Sequence, residues 1–369
     1  MKSLALLKRY DWQKLQQFCT EVFIRAGVDK NHANTVADSL IQADLRGVDS
    51  HGVVRTAIYL ERIERNMMNP FAEPEIEMEQ GPTVLLNGNN NFGAVVGSKA
   101  LDIALEKAKE QGIAVVGVKE SNHFGTGAFY ALKAIEKNMI LLLMSNASQT
   151  MPPTGGKRPF IGTNPLAVGV PAGKELPFVL DMATSVVARG KIIVAAQKGS
   201  DIPLGWAIDK DGNPTTDADA ALQGSVLPVG GPKGYAISMF IDILAGVLTG
   251  AGYGKYVNNM YENWNEPQNV GHFFIAIDIE RFMPLDLFKE RMDRYIQEIK
   301  AEPKADGVNE ILIPGEIEHR LVIERKKTGL ELPEKVENEL EAIGRRYSLK
   351  LSDALIDSCY SNQKKEAVN

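Results

Sequence analysis

The middle of the chain alternates between two hydrophobic periods, and that alternation narrows the folds open to it. Over residues 99–110 the apolar positions Leu101, Ile103, Ala104 and Ala108 recur as on one face of a helix, which Gly112 should end. An apolar run of strand length, 113–118, follows at once. The pattern then repeats, with a helix predicted over 128–137 and a strand over 139–144. Helix and strand taken in turn are the rhythm of an α/β sheet. Further strands are predicted over 178–181, 206–209 and 273–279, and helices over 186–197 and 285–300, with a turn at Asp211-Gly212. Residues 235–248 are nearly all apolar and are expected to form a buried helix.

Both ends read as helical. Asp29 is a good N-cap, and Ala33, Val36, Ala37, Leu40, Ile41 and Leu45 then recur at helical spacing until Gly47. A second helix is expected to start at Asp49 or Ser50. Pro70, Pro74 and Pro82 interrupt a stretch without periodicity, so a domain boundary is expected there. Residues 1–75 and 315–369 would form one helical domain and 76–314 the sheet-bearing core. From Gly315 onward the chain is rich in charge, with Gly329 and Pro333 separating two helices.

Composition removes several classes of function. Lys and Arg number 41 against 47 Asp and Glu, a net charge of −6, where a nucleic-acid binder would carry a basic stripe. Two cysteines, Cys19 and Cys359, are too few for a disulfide framework or a zinc cluster, and fit a reducing cytoplasm. The opening MKSLALLKRYDWQKL is too weakly apolar, and charged too soon, for a signal peptide. The longest apolar run, 237–252, contains Asp242 and falls short of the ~18 residues a spanning helix needs. A soluble cytoplasmic enzyme is expected, with neither nucleic acid nor membrane as partner.

Five histidines are available for proton exchange near neutral pH. His32 and His319 lie on polar helical stretches and read as solvated. His272 opens a strand and reads as structural. His51, Arg55 and Tyr59 stand at i, i+4 and i+8, so one helix face would present an imidazole, a guanidinium and a phenol. Arg can hold a carboxylate by two parallel hydrogen bonds while His handles a proton beside it. Local pairing of Arg55 and simple capping by His51 remain equally open. His123, in Ser121-Asn122-His123-Phe124-Gly125, follows a buried strand, at the carboxyl edge where α/β sheets bind ligands.

No dinucleotide fingerprint G-x-G-x-x-G follows an early strand: Gly125-Thr126-Gly127 lacks the third glycine, and Gly250-Ala251-Gly252 follows a helix. Phosphate-loop, H-E-x-x-H and G-x-S-x-G motifs do not occur either. Lys233, in Gly230-Gly231-Pro232-Lys233-Gly234, lies where helix-start N–H groups and a lysine suit an anion such as a pyrophosphate, or merely turn the chain into a core helix.

Several segments together resemble the malate/L-lactate dehydrogenase family of the second type, which includes ureidoglycolate, sulfolactate and diketogulonate dehydrogenases and a cyclic-ketimine reductase. They are residues 43–55 (ADLRGVDSHGVVR), 121–125 (SNHFG), 162–167 (GTNPLA), 181–184 (DMAT) with Gly190-Lys191, 231–235 (GPKGY), 271–276 (GHFFIA) and 313–316 (IPGE). The resemblance implies an α/β fold with a non-Rossmann mixed sheet that binds NAD or NADP, a helical domain built from both termini, and a homodimer. By position, Asp181, Met182, Ala183, Lys233, Pro314, Gly315 and Glu316 resemble the cofactor contacts. Ser50, His51, Arg55, Tyr59 and His123 resemble the substrate site. The implied reaction moves a hydride between nicotinamide and a small 2-hydroxy or 2-oxo acid of malate or lactate type. Arg55 would hold the carboxylate, and His123, with His51 as rival, would exchange the proton. The neighbouring readings are a ureidoglycolate dehydrogenase and a cyclic-ketimine reductase. Outside the class stands a redox-inactive anion-binding protein.

Overall fold

The computed structural model describes residues 8–356. Cys359 and the opening residues on which the leader-peptide expectation mainly rests lie outside the described residues. In chain order the helices are α1 (Trp12–Arg25), α2 (Lys30–Leu45), α3 (Thr56–Glu64), α4 (Gly93–Gln111), α5 (Gly127–Glu136), α6 (Arg189–Gln197), α7 (Ala218–Gln223), α8 (Pro232–Asp242), α9 (Leu285–Ala301), α10 (Glu316–Thr328) and α11 (Glu334–Arg346). The strands are β1 (Glu75–Gln80), β2 (Thr83–Asn87), β3 (Ile113–Ser121), β4 (Met139–Ser145), β5 (Leu166–Val170), β6 (Phe178–Met182), β7 (Ala207–Ile208), β8 (Pro214–Thr215), β9 (Ser225–Val226) and β10 (Val270–Asp278). The chain divides into two compact units: one runs to Glu64 and resumes at Glu316, and the other is Arg65–Gly315.

The first unit is helical, and local chemistry explains its start and stop points. Asp11 accepts the N–H groups of Gln13 and Lys14 at 3.0 and 2.9 Å and so caps α1. Asp29 does the same for α2, accepting from Asn31 at 2.7 Å. Val36, Ala37, Leu40, Ile41 and Leu45 are buried along α2, as their spacing requires. Gly47 ends the run with φ +79°. His32 departs from the sequence reading: it is buried on α2 rather than solvated, because it follows the cap on the side that packs inward. Backbone pairing of Tyr10 with both Leu330 and Leu355 ties the two ends of the chain within this unit.

The second unit is built on a seven-stranded mixed sheet in the order β1-β2-β3-β10-β4-β5-β6. Strands β2, β3, β4 and β6 share one direction, and β1, β5 and β10 run the opposite way. The core lies where Val96, Ala100, Leu101, Ala104 and Ala108 of α4 meet Ala114, Val116 and Val118 of β3 and Phe274 and Ala276 of β10. Each large apolar side chain buried there contributes roughly 1.5–3 kcal/mol. A second, three-stranded sheet, β8-β7-β9, packs with α6 and α7 around Ile192, Ala207, Ala218 and Val226.

Several elements differ from the sequence reading. The proline-bearing stretch 70–82 holds β1 and leads into β2. β1 is exposed along its whole length, so its Glu-Ile-Glu-Met-Glu alternation reflects a sheet edge and not a buried face. Strand β5 is also new. The apolar stretch 235–248 is helical but buried on one face only. It is α8 followed by a π-helical turn, Ile243–Leu248, and the buried positions are Gly234, Ser238, Ile241, Asp242, Ala245 and Gly246. Phe240 and Val247 are each 56 % exposed and Leu248 64 %. Ile241 and a set of small and polar residues fit against the sheet, and most of the large apolar ones face outward.

Candidate active site

The direction of the strands gathers most of the marked segments of the second unit on one sheet edge. The carboxyl ends of β3, β4 and β6 meet the amino ends of β10 and β5 there, with Ser121 opposite Val270, Ser145 opposite His272, and Met182 opposite Leu166. His123 therefore stands two residues beyond β3 on the edge where α/β sheets bind ligands.

The His123 loop is held rigidly. Its own N–H donates to Gln268 Oε1 at 3.1 Å. The fully buried Asn122 donates through Nδ2 to the carbonyls of Asn90 and Asn91 at 3.1 and 2.9 Å. Tyr130 donates its phenol proton to the Phe124 carbonyl at 2.6 Å. Gly93 allows the start of α4 to close on this loop: a Cβ there would lie 2.1 Å from the Asn122 carbonyl oxygen. The imidazole of His123 is half-buried.

Asp181, at the end of β6, accepts the N–H of Ala128 at 2.9 Å, so its carboxylate sits at the N-terminus of α5, a few residues past His123. The chain after β6 is pinned to the approach to α8. Val229 N–H donates to the Thr184 carbonyl at 2.9 Å, and Val186 N–H to Leu227 at 2.8 Å. Gly230 and Gly231, at φ +61° and +64°, lead into Pro232 at the first position of α8, with Lys233 exposed beside it. On the free edge of β6, Val179 N–H donates to the Pro314 carbonyl at 3.0 Å, and Gly315 packs against Val179. Asp181, Met182 and Ala183 thus lie at the end of β6 with Pro314 and Gly315 along its edge, and the segment just after them is pinned to the stretch that leads to Lys233. Glu316 opens α10 and is buried.

This arrangement fits a dinucleotide. A Cβ built at Gly230 or Gly231 would meet nothing within 4 Å, so the start of α8 and the exposed Lys233 stand beside open space, the Gly231 N–H itself being held by the Pro228 carbonyl at 3.1 Å. A pyrophosphate needs that combination of donors and positive charge.

In the first unit, Ser50, His51 and Arg55 lie on two short 3₁₀ turns, Asp49–His51 and Val53–Arg55, and Tyr59 on α3. The shared helix face expected from the i, i+4, i+8 spacing is not formed, because Gly52 is extended (φ −85°, ψ −151°) and breaks the helix between His51 and Arg55. The residues are brought together differently. Arg55 Nε donates to the Ser50 carbonyl at 2.7 Å, and Ser50 Oγ lies 2.9 Å from His51 Nδ1. His51 meets solvent over part of its ring, yet the dense protein around it, aided by the Arg55 guanidinium, pushes it down to about 3. It is therefore neutral at physiological pH. Burial lowers Arg55 from its ordinary value and raises the Tyr59 phenol, which the guanidinium partly offsets.

His272 is structural, as the sequence reading held. Fully buried and stacked on Phe124 at 4.5 Å, it lies 2.8 Å from Ser121 Oγ through Nε2 and 2.9 Å from Ser145 Oγ through Nδ1. Ser145 directs its own proton to the Asn146 carbonyl at 3.0 Å, so Nδ1–H donates to Ser145 and Nε2 accepts from Ser121. Burial holds this ring down to about 3, below the ordinary 6.5. The unfolded chain therefore binds a proton that the fold does not, and stability falls as pH drops through 6.5 towards 3. The expected slope from this ring is about 1.4 kcal/mol per pH unit. His272→Gln, which keeps a donor and an acceptor but cannot titrate, should flatten the acid limb of urea-melt stability measured against pH.

Sequence reasoning passed over the asparagines and one acid. Asn146 takes the Gly271 N–H at 2.9 Å and donates to the Gly252 carbonyl. Asn164 takes the Ala147 N–H and donates to the Ser238 carbonyl, each at 2.9 Å. Asp44 accepts the Val53 N–H at 2.9 Å beneath the His51 turn. The available signal was a polar residue inside an otherwise apolar stretch, which a search for titratable clusters ignores.

A family model described as malate/L-lactate dehydrogenase matches residues 10–341. A malate dehydrogenase of Pyrococcus horikoshii is 42% identical over 343 residues, which cover 90% of this chain and 94% of that one. An NAD(+)-dependent ureidoglycolate dehydrogenase of Escherichia coli (strain K12) is 34% identical, covering 95% and 97%. The solved structure of a sulfolactate dehydrogenase from Methanocaldococcus jannaschii superposes with a TM-score of 0.89 at 38% identity, covering 94% of this chain and 99% of that one.

Proposed function

The chain belongs to the malate/L-lactate dehydrogenase family, and from that premise we propose how its own residues divide the reaction. The protein is an NAD(P)-dependent oxidoreductase of 2-hydroxy and 2-oxo acids. The reading rests most heavily on His123, a rigidly held imidazole at the ligand-binding edge of the sheet, with Asp181 and the open approach to α8 on the same unit.

Bound reduced nicotinamide supplies the hydride. Lys233 at the start of α8 would hold the phosphates, and Asp181, Met182, Ala183, Pro314, Gly315 and Glu316 would hold the rest of the cofactor. Arg55 grips the substrate carboxylate through two hydrogen bonds and fixes the neighbouring carbon for transfer. Tyr59 and Ser50 complete that side. His123 gives its proton to the substrate oxygen on reduction and takes it back on oxidation. His51, held neutral well below the ordinary imidazole range, is a poor proton acceptor at neutral pH, so it orients the substrate and polarises its oxygen.

The substrate is a 2-hydroxy acid of malate or sulfolactate type, by the names of the relatives. Oxaloacetate, sulfopyruvate, pyruvate and a cyclic ketimine, each run with both reduced cofactors, test this. Turnover of a 2-oxo acid is expected. Turnover of the ketimine alone would move the chain to imine reduction, and failure to bind either dinucleotide would support a redox-inactive anion binder.

Among the described residues no helix is long and apolar enough to cross a membrane. A cytoplasmic location is the reading that the scarcity of cysteine in the sequence supports. The outward face of α8 and its π-helical turn carries Ile237, Phe240, Val247 and Leu248, a patch that a second copy of the chain would cover as a homodimer. Phe240→Asp with Val247→Asp should sediment as a monomer at concentrations where the wild type is a dimer.

A further inference from the structure

Beneath the turn that carries Ser50, His51 and Arg55 lies an acid to which the reaction above assigns nothing. Asp44 is in the last turn of α2 and is 4 % exposed. Its Oδ2 accepts the Val53 N–H at 2.9 Å. A Cβ built on Gly52 would stand 1.7 Å from Asp44 Oδ1 and 2.1 Å from its carboxyl carbon, so the carboxyl fills the place a side chain at position 52 would take. Gly52 is the extended residue joining the two 3₁₀ turns. One carboxyl group therefore sits under the joint between His51 and Arg55, against Gly52 and bonded to the Val53 N–H.

Its cationic neighbour is occupied elsewhere: Arg325 Nη1 donates to the backbone carbonyl of Asp44 and to the carboxylate of Asp49. Burial, with Asp49 adding repulsion, pushes Asp44 up to about 8, although the Val53 N–H and Arg325 pull the other way. Burial thus favours the uncharged acid, and the use of Asp44 lies in shape and one hydrogen bond.

We propose that Asp44 is a positioning residue: by holding the Val53 N–H and occupying the space over Gly52 it sets the spacing of His51 and Arg55, and through Arg55 the binding of the substrate carboxylate. The proposal rests on the assignment of Arg55 to that carboxylate.

Steady-state kinetics on Asp44→Asn, Asp44→Leu, Gly52→Ala and Arg55→Lys, with the reduced-cofactor Kd and a thermal melt for each, test it. Asp44→Asn keeps the shape and the acceptor, and its KM for the 2-oxo acid should stay close to that of the wild type. Asp44→Leu keeps the bulk and loses the acceptor, while Gly52→Ala drives the carboxyl from its place. Both should raise KM roughly 10-fold, the effect of one lost buried hydrogen bond, with cofactor Kd unchanged. A mere filler would be replaced by leucine without loss, so a wild-type KM in Asp44→Leu overturns the proposal. So does a raised KM in Asp44→Asn whose melt is intact. If Asp44→Leu does not fold, Gly52→Ala decides by the same criterion. A raised KM in Arg55→Lys alone sinks the role of Asp44 and leaves the carboxylate assignment standing. An unchanged KM in Arg55→Lys shows instead that the assignment beneath it has failed.

Discussion

Replacing His123 with alanine should lower kcat by ~100-fold or more, the usual contribution of a positioned acid-base group, while the Kd for reduced cofactor stays nearly unchanged. The physical basis is separation of roles. The cofactor candidates surround β6, and the His123 backbone is anchored independently, by Gln268 and by Asn122 on Asn90 and Asn91. Removing the ring beyond Cβ leaves those anchors intact. His51→Ala should behave differently and chiefly raise KM, because burial and the Arg55 guanidinium disfavour the charged imidazole that proton exchange needs. Stopped-flow measurement of cofactor oxidation in a single turnover separates the two. A normal single-turnover rate in His123→Ala would remove the assignment.

Arg55→Lys should raise KM for the 2-oxo acid by roughly 10- to 100-fold, the equivalent of one charge-assisted hydrogen bond lost, with a smaller effect on kcat. Lysine keeps the charge but offers a point where the guanidinium offers a planar fork. It also loses the Nε hydrogen bond to the Ser50 carbonyl, which fixes the side chain in its turn. Measuring KM for an acid and for its uncharged amide makes the test specific. The wild type should favour the acid strongly, and Arg55→Lys should lose most of that preference. Unchanged discrimination in the variant would place the carboxylate elsewhere.

How far the sequence revealed this molecule depends on whether local chemistry or long-range packing decides each feature. Asp29 announces α2 because a cap acts on N–H groups two and three residues away. Gly112, at φ +90°, marks the end of α4 for an equally local reason. Strand β1 was hidden because its prolines and charges suit a loop as well as a sheet edge, and only pairing with β2 decides between them. The stretch 235–248 misled for a deeper reason. Hydrophobicity says that a surface must be covered, not what covers it, and here Gly234, Ser238 and Ala245 take the inner face while Phe240 and Leu248 remain outside. Within the candidate site, one local geometry was not legible. His51, Arg55 and Tyr59 have helical spacing, but Gly52 interrupts the helix because the Asp44 carboxyl occupies the room a side chain there would need. No periodicity reports a contact between residues 44 and 52 across a turn. The sheet edge, by contrast, followed from reading His123 as the residue after a buried strand.

The central claim is that a hydride passes between the nicotinamide ring and the carbon beside a substrate carboxylate. Reduced cofactor carrying deuterium at the transferable position, incubated with the protein and a 2-oxo acid, tests it directly by mass spectrometry of the product. The account expects one deuterium per molecule at the second carbon of a 2-hydroxy acid, in step with cofactor oxidised. Cofactor consumed without label on that carbon, or bound without any transfer across the whole series of 2-oxo acids, would contradict it.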